Sequence, residues 1–247
     1  MNNIYHTAVI GGGCLGVASA ISLARKLNSN KNTQNVCILE KSVLAGGISS
    51  RHSGIIRSAN ASIQAATFAE ESNNMWKNIR QHWGVDIKPE QPGAIWIARN
   101  DKKESTKIWI DLEKNLKKAG INFTKISSKE IKSLTNNLIR IDEENEIYFH
   151  EPNAMLFDPI KVRNKMYSAL EINNVKLKEN TRVIDFELQP RNKIKKIRTN
   201  QGSIFAENII NAAGGWSPQI FDSIDVKIPV SLQPVYVSNW LVSEKIT

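Results

Sequence analysis

Apolar and polar positions alternate along the chain in blocks that divide it into short strands and amphipathic helices. The first apolar run, Thr7-Ala8-Val9-Ile10, has the continuity of a strand buried on both faces, and it ends in Gly11-Gly12-Gly13. Ala18, Ile21, Ala24 and Leu27 then recur at helical spacing without a breaker, and Val36-Cys37-Ile38-Leu39 forms a second apolar strand closed by Glu40. The polar stretch 28–35 between them has no period and reads as a surface loop. This is a β-α-β unit, and it places the protein in the α/β class. Farther on, 62–83 reads as one helix with Trp76, Ile79 and Trp83 on a shared face. A second helix, 102–119, carries a stripe of Ile108, Leu112, Leu116 and Ala119 and stops at Gly120, and Ser127 with Glu130 has the spacing of a capping box for a short helix. Ile194–Arg198 and Ser203–Phe205 flank Thr199-Asn200-Gln201-Gly202 in a hairpin pattern. The aromatic positions read as core.

Composition narrows the class without changing it. At 247 residues the chain can remove roughly 70–75% of its unfolded surface from water, so a substantial core is possible. A hydrophobic content of 41% and a mean hydropathy of −0.33 exclude a disordered chain, and no apolar run reaches the roughly 20 residues of a transmembrane segment. The N-terminus lacks a basic region followed by an apolar stretch, which makes the cytoplasm the default location. Cys14 and Cys37 stand far apart in no CxxC pattern, so they read as small buried residues rather than as a disulfide or a metal site. The net charge of +9 is spread thinly through amphipathic segments. It predicts a solvated basic surface rather than a nucleic-acid partner, with a field that attracts an anionic substrate or cofactor as the alternative.

The chemistry begins at the first glycines. Gly11, Gly13 and Gly16 satisfy G-x-G-x-x-G between a strand and a helix, with a second strand and a terminal acid following. In that context Gly11 permits a tight turn, Gly13 lets backbone approach a pyrophosphate, and Gly16 lets the helix pack on the strand. Cys14 and Leu15 open the helix whose N–H groups face the phosphates. Glu40 is the expected acceptor for a ribose diol and disfavours a 2′-phosphate. A nicotinamide-binding domain would continue soon afterwards with another helix and a third parallel strand. Here Lys41 is followed instead by a loop dense in Gly, Ser and cationic groups, Gly46-Gly47-Ile48-Ser49-Ser50-Arg51-His52-Ser53-Gly54-Ile55-Ile56-Arg57, whose amides and charges suit an anionic ligand.

Over nearly its whole length the sequence resembles the D-amino-acid oxidase-like superfamily of FAD-dependent oxidoreductases, the group of sarcosine, dimethylglycine and glycine oxidases. Gln91-Pro92-Gly93-Ala94-Ile95-Trp96-Ile97-Ala98 is similar to that family's first substrate-domain strand. Leu156-Phe157-Asp158-Pro159 is similar to its entry back to the FAD domain, and Ile209-Ile210-Asn211-Ala212-Ala213-Gly214-Gly215-Trp216-Ser217 to its returning strand and turn. The resemblance implies FAD as cofactor. It implies cofactor contacts at Gly11, Gly13, Cys14, Leu15, Gly16, Glu40, Lys41, Ser49, Ser50, Arg51, His52, Ser53, Gly54, Val183, Ala213, Gly214 and Trp216. The implied fold is a Rossmann-like FAD-binding domain with a parallel sheet and β-meander (1–84 and 151–222), interleaved with a mixed-sheet α+β substrate domain (85–150 and 223–247).

The implied function is oxidation of the C–N bond of a small amino acid or N-methyl amino acid. Ile55-Ile56-Arg57 is similar to the Ile-Ile-Arg of sarcosine oxidases, which makes Arg57 the candidate for the substrate carboxylate. Those oxidases carry another Arg over the flavin where this chain has Gly54. Arg51 and His52 are the candidates to supply that charge, and His52 is also the candidate for a covalent tether to FAD. L-2-hydroxyglutarate dehydrogenases of the same fold have a similar loop ending in His, so oxidation of a 2-hydroxy acid is an alternative. So is an incomplete or non-catalytic FAD-binding subunit needing a partner chain, and a second subunit or a homo-oligomer is the expected assembly. The family's sequences continue past Ile228-Pro229-Val230-Ser231-Leu232-Gln233-Pro234, and this chain ends at Thr247 within an expected strand pair at 235–242. The substrate domain is therefore expected to be incomplete.

Overall fold

The computed structural model describes residues 4–29, 35–60, 62–100, 103–189 and 193–229; the expected strand pair at 235–242 lies outside the described residues. The described part divides into two compact units. The first comprises 4–52, 79–87 and 159–229, and the second comprises the described residues of 53–78 and 88–158.

In the first unit, strand β1 (Ile4–Ile10) leads into helix α1 (Cys14–Ser29), and β2 (Val36–Leu39) follows. Both strands pair in parallel, Ala8 opposite Cys37 and Ile10 opposite Leu39. The β-α-β unit is therefore present, and α1 packs on both strands. Every residue of β2 is buried, as its continuous apolar run requires. Strand β8 (Lys176–Lys178) extends the sheet beside β2, and β9 (Val183–Gln189), β10 (Lys193–Thr199) and β11 (Gly202–Asn211) form an antiparallel meander. The sheet order is β8-β2-β1-β11-β10-β9, with β11 parallel to β1 and antiparallel to β10. Ala8, Ile10, Cys37, Leu39, Val183, Phe186, Ile197 and Ile204 make one continuous core across it. Pro159 occupies the first position of α6 (Pro159–Ile172), where its missing N–H costs no helical bond, and the helix buries Val162, Met166, Ala169 and Leu170.

The second unit holds a three-stranded antiparallel sheet, β4 (Ala94–Arg99), β6 (Glu146–Glu151) and β5 (Thr124–Ile126), in the order β4-β6-β5. A two-stranded pair, β3 (Ile55–Ile56) with β7 (Met155–Leu156), completes its described strands. Its core is aromatic. Phe123 and Phe149 stack at 5.1 Å, Trp109 stacks on Phe149 at 5.7 Å, and Trp96 meets Trp109 and Phe123 at 6.0 Å each. Helix α5 (Ser128–Leu134) begins with the expected capping box, the Ser127 side chain bonded to the Glu130 N–H and the Glu130 carboxylate to the Ser127 N–H.

Two expectations are corrected. The single helix expected over 62–83 is two, α2 (Ile63–Lys77) and α3 (Ile79–Trp83), which fall in different units. Asn78 ends the first: its N–H turns back to Asn74 O and Met75 O, and its side-chain amide donates to Asn74 O at 3.0 Å. Trp76, on α2, packs on Phe157 at 5.1 Å, while Ile79 and Trp83, both buried, stand on α3, so the three do not lie on one continuous helix. The second correction concerns α4 (Lys103–Lys118). Ile108 is 66% exposed, and the stripe that meets the core is Trp109, Leu112 and Leu116. Gly120 does stop this helix. Its N–H bonds Lys117 O and the Ile121 N–H bonds Leu116 O, which is a Schellman motif.

Candidate functional site

Three strands of the first unit end at one level. Gly11 N–H bonds Leu39 O and Ala212 N–H bonds Ile10 O, each at 2.9 Å, so β1, β2 and β11 release their loops together. Ligands of open α/β sheets bind outside such carboxyl ends. A cavity of about 370 Å³ lies there, within the range of small-molecule sites.

The glycine turn shapes its floor. Gly11 has φ +104°, and a Cβ on it would stand 2.5 Å from Ala212 O. A Cβ on Gly16 would stand 1.9 Å from Gly11 O, so Gly16 serves the close start of α1 against the turn and does not itself line the cavity. Gly13, Cys14 and Leu15 do line it, where the first N–H groups of α1 have no partner within the helix. Ser49 Oγ accepts the Cys14 N–H at 3.0 Å. Glu40 closes one wall. It is 9% exposed, with Oε2 accepting the Gly12 N–H at 2.7 Å and Oε1 the Ser42 N–H at 2.9 Å. Each oxygen retains a second lone pair.

Of the predicted cofactor residues, Gly11, Gly13, Cys14, Leu15, Glu40, Lys41, Ser49, Arg51, Val183, Ala213, Gly214 and Trp216 meet at this cavity. Lys41, Arg51 and Arg182 are its cations and Glu40 its carboxylate, a balance that suits an anionic ligand. Lys41 Nζ sits 3.3 Å above the Trp216 ring. Asn211 staples the turn that carries Trp216: its Oδ1 accepts the Ala213 N–H at 3.1 Å and the Ser217 hydroxyl at 3.2 Å. Ser50 and His52 do not line the cavity, and His52 Nε2 lies 3.1 Å from Ser49 O at the surface. The expectation of two buried cysteines holds for Cys37 and not for Cys14, which is half-buried because it stands in the cavity wall. Burial pushes the Cys37 thiol up to about 12, with Lys178 opposing in part. Burial also raises Cys14, against hydrogen bonds from Ser49 and its own backbone.

Ala45, Thr181 and Arg182 also line the cavity and escape the sequence reading. Ala45 is buried with φ +54°, and its N–H bonds Gly12 O at 2.9 Å, which ties the loop to the glycine turn. A left-handed alanine has no compositional signal. Thr181 and Arg182 directly precede Val183, and that adjacency was their only signal.

Ser53, Gly54 and Arg57 belong to the second unit. Arg57 leaves β3 exposed, with its guanidinium carbon 4.4 Å over the Trp96 ring and Nη1 donating to Ala59 O. Among the described residues it pairs with no carboxylate.

Parallel strands ending together above a glycine turn, a helix N-terminus and a strand-terminal acid define a dinucleotide-binding protein of Rossmann type. The chain belongs to the FAD dependent oxidoreductase family, which it matches over residues 6–247, and FAD is that family's cofactor. Sarcosine oxidase subunit beta of an Arthrobacter sp is 26% identical over 97% of this chain and 58% of its own length. Mitochondrial dimethylglycine dehydrogenase of Homo sapiens is 24% identical over 96% of this chain and 26% of its own. Among solved structures, L-proline dehydrogenase from P.horikoshii superposes with a TM-score of 0.80 at 24% identity, covering 92% of this chain and 57% of that one. The chain thus spans little more than half the length of the sarcosine oxidase subunit. Among the described residues no helix is long and apolar enough to cross a membrane.

Proposed function

We propose that this chain binds FAD in the first unit and oxidises the C–N bond of a small amino acid or N-methyl amino acid, with Arg57 as the contact for the substrate carboxylate. The observation that carries the reading is the cavity at the joint ends of β1, β2 and β11, whose glycine floor and helix N-terminus admit a pyrophosphate and whose wall presents Glu40 to a ribose. When bound, FAD supplies the acceptor for the hydride leaving the substrate carbon, and the resulting imine is hydrolysed by water. The protein's own part is to bind and orient. Lys41, Arg51 and Arg182 set a positive potential along the cavity, and the backbone N–H groups of Gly13 and Leu15 lie in its wall, the Cys14 N–H being taken by Ser49 Oγ. Arg57, held on Trp96 without an acidic partner among the described residues, presents a planar fork that matches a carboxylate.

The visible spectrum of the purified chain tests this. Flavin absorbance should appear and should bleach anaerobically with sarcosine, proline or a D-amino acid but not with 2-hydroxyglutarate; bleaching by the hydroxy acid alone would instead support oxidation of a C–OH bond. Arg57→Met should raise KM for a carboxylate substrate about 100-fold, the worth of two charge-assisted hydrogen bonds. An unchanged KM removes Arg57 from the reading. A second reading is a subunit that needs a partner chain, favoured because one relative at 26% identity is itself named as a subunit. Turnover that appears only on adding a partner would establish it.

A further inference from the structure

Glu151 ends β6 at 1% exposure, continuing the core-facing alternation of Ile147 and Phe149. An apolar residue would suit that position, since a buried carboxylate is tolerated only when hydrogen bonds replace its water. Among the described residues Glu151 forms no ion pair. Three N–H donors satisfy it instead. Oε1 accepts the Ser58 N–H at 2.5 Å and the Ala59 N–H at 3.1 Å, and Oε2 accepts Trp96 Nε1–H at 3.2 Å.

All three donors belong to what holds Arg57. Its guanidinium rests on the face of Trp96, and its Nη1 donates to the carbonyl of Ala59. One carboxylate therefore fixes both the ring beneath the guanidinium and the turn that receives its hydrogen bond. The turn is anchored a second time through the Ser58 hydroxyl, which donates to Glu70 Oε2 and accepts from Asn73 Nδ2, each at 2.5 Å. An arginine side chain otherwise loses considerable rotamer freedom on binding a ligand, and holding it beforehand removes that cost from binding.

We propose that Glu151 is a positioning residue for a substrate-carboxylate receptor, holding Arg57 in its binding pose through the Trp96 indole and the Ser58-Ala59 amides. This rests on the reading of Arg57 as the carboxylate contact. In Glu151→Gln the side chain keeps its shape but has one acceptor oxygen and an NH2 that only donates, so its amide oxygen meets either the indole N–H or the two backbone N–H groups and one link breaks. Trp96→Phe keeps a smaller ring face for Arg57 and removes the N–H bonded to Glu151, and it serves if the first variant fails to fold.

Two measurements on the full chain separate the claims. The Arg57 side-chain N–H resonance, identified by its loss in Arg57→Lys, should lie upfield under the Trp96 ring current and move toward the position of solvent-exposed arginines in Glu151→Gln, which leaves the ring in place; in Trp96→Phe, where the ring current itself changes, the order parameter of the same group is read and should fall. A resonance unmoved in Glu151→Gln, or an order parameter unchanged in Trp96→Phe, overturns the proposal. In flavin-loaded protein, Glu151→Gln should raise KM for sarcosine about tenfold, with the effect on KM rather than kcat and with nothing added when it is combined with Arg57→Met. A moved resonance with unchanged KM, in protein where Arg57→Met does raise KM, also overturns it. If Arg57→Met leaves KM unchanged, the carboxylate reading falls, and the resonance still decides whether Glu151 positions Arg57.

Discussion

A methyl group at Gly16 would sit 1.9 Å from Gly11 O, closer than side chains approach backbone, and no flexible neighbour can yield. Gly16→Ala should destabilise the protein by about 3 kcal/mol, near the upper end of overpacking costs, and abolish FAD retention; urea unfolding and the flavin spectrum check the two effects separately. Cys37 makes a prediction about pH. Burial raises its thiol from 9.0 to about 12, so folding favours the neutral form. Its contribution is fully present below pH 9 and is lost as pH rises from there toward 12, because only the unfolded chain can shed the proton over that range. Cys37→Ala should therefore lose less stability than the wild type between pH 8 and 11 in denaturant titrations, and an identical pH slope would contradict the assignment. Cys14, in the cavity wall, should react with thiol reagents faster than Cys37 and should be slowed by FAD.

The capping box of α5 is the simplest element-scale test. Ser127→Ala removes the acceptor for the Glu130 N–H and should cost about 1 kcal/mol by denaturant unfolding. The box was legible in sequence because it is local: two residue types, three positions apart. The β-α-β unit, the Gly120 stop and the 199–202 hairpin were legible for the same reason, and the glycine motif gave the cavity floor directly. The errors arose where a helical period was carried across a break. Trp76, Ile79 and Trp83 keep helical spacing through Asn78, but an asparagine that turns its amide back onto Asn74 O ends the axis on which that spacing was counted. In α4, Ile108 and Trp109 are adjacent apolar residues, and only the aromatic cluster around Phe149 selects the tryptophan. Ala45, Arg182 and Glu151 owe their positions to partners far away in the chain, which no local pattern records.

At the scale of the molecule, FAD binding should stabilise the folded state by mass action. With free FAD at 100 times its dissociation constant the gain is about 2.7 kcal/mol, visible as a thermal midpoint that climbs with the logarithm of FAD concentration. Hydrogen exchange should slow chiefly at the start of α1, in the loop around Ser49 and in the turn at Gly214 to Trp216, since these line the cavity. A midpoint indifferent to FAD would contradict the cofactor assignment. The sheet order carries one more consequence, which concerns the ribosome. β1 emerges well before its β11 neighbour, which pairs Ile10 with Asn211 and is among the last described segments to follow. Of its two partners in the described sheet, β1 at first has only β2 available, and the edge destined for β11 stays open while segments 53–78 and 88–158 of the second unit are made. Among the described strands, the one that bears the glycine turn is thus left longest without its full complement of neighbours, and chaperone engagement in nascent chains should centre there until residue 211 has emerged.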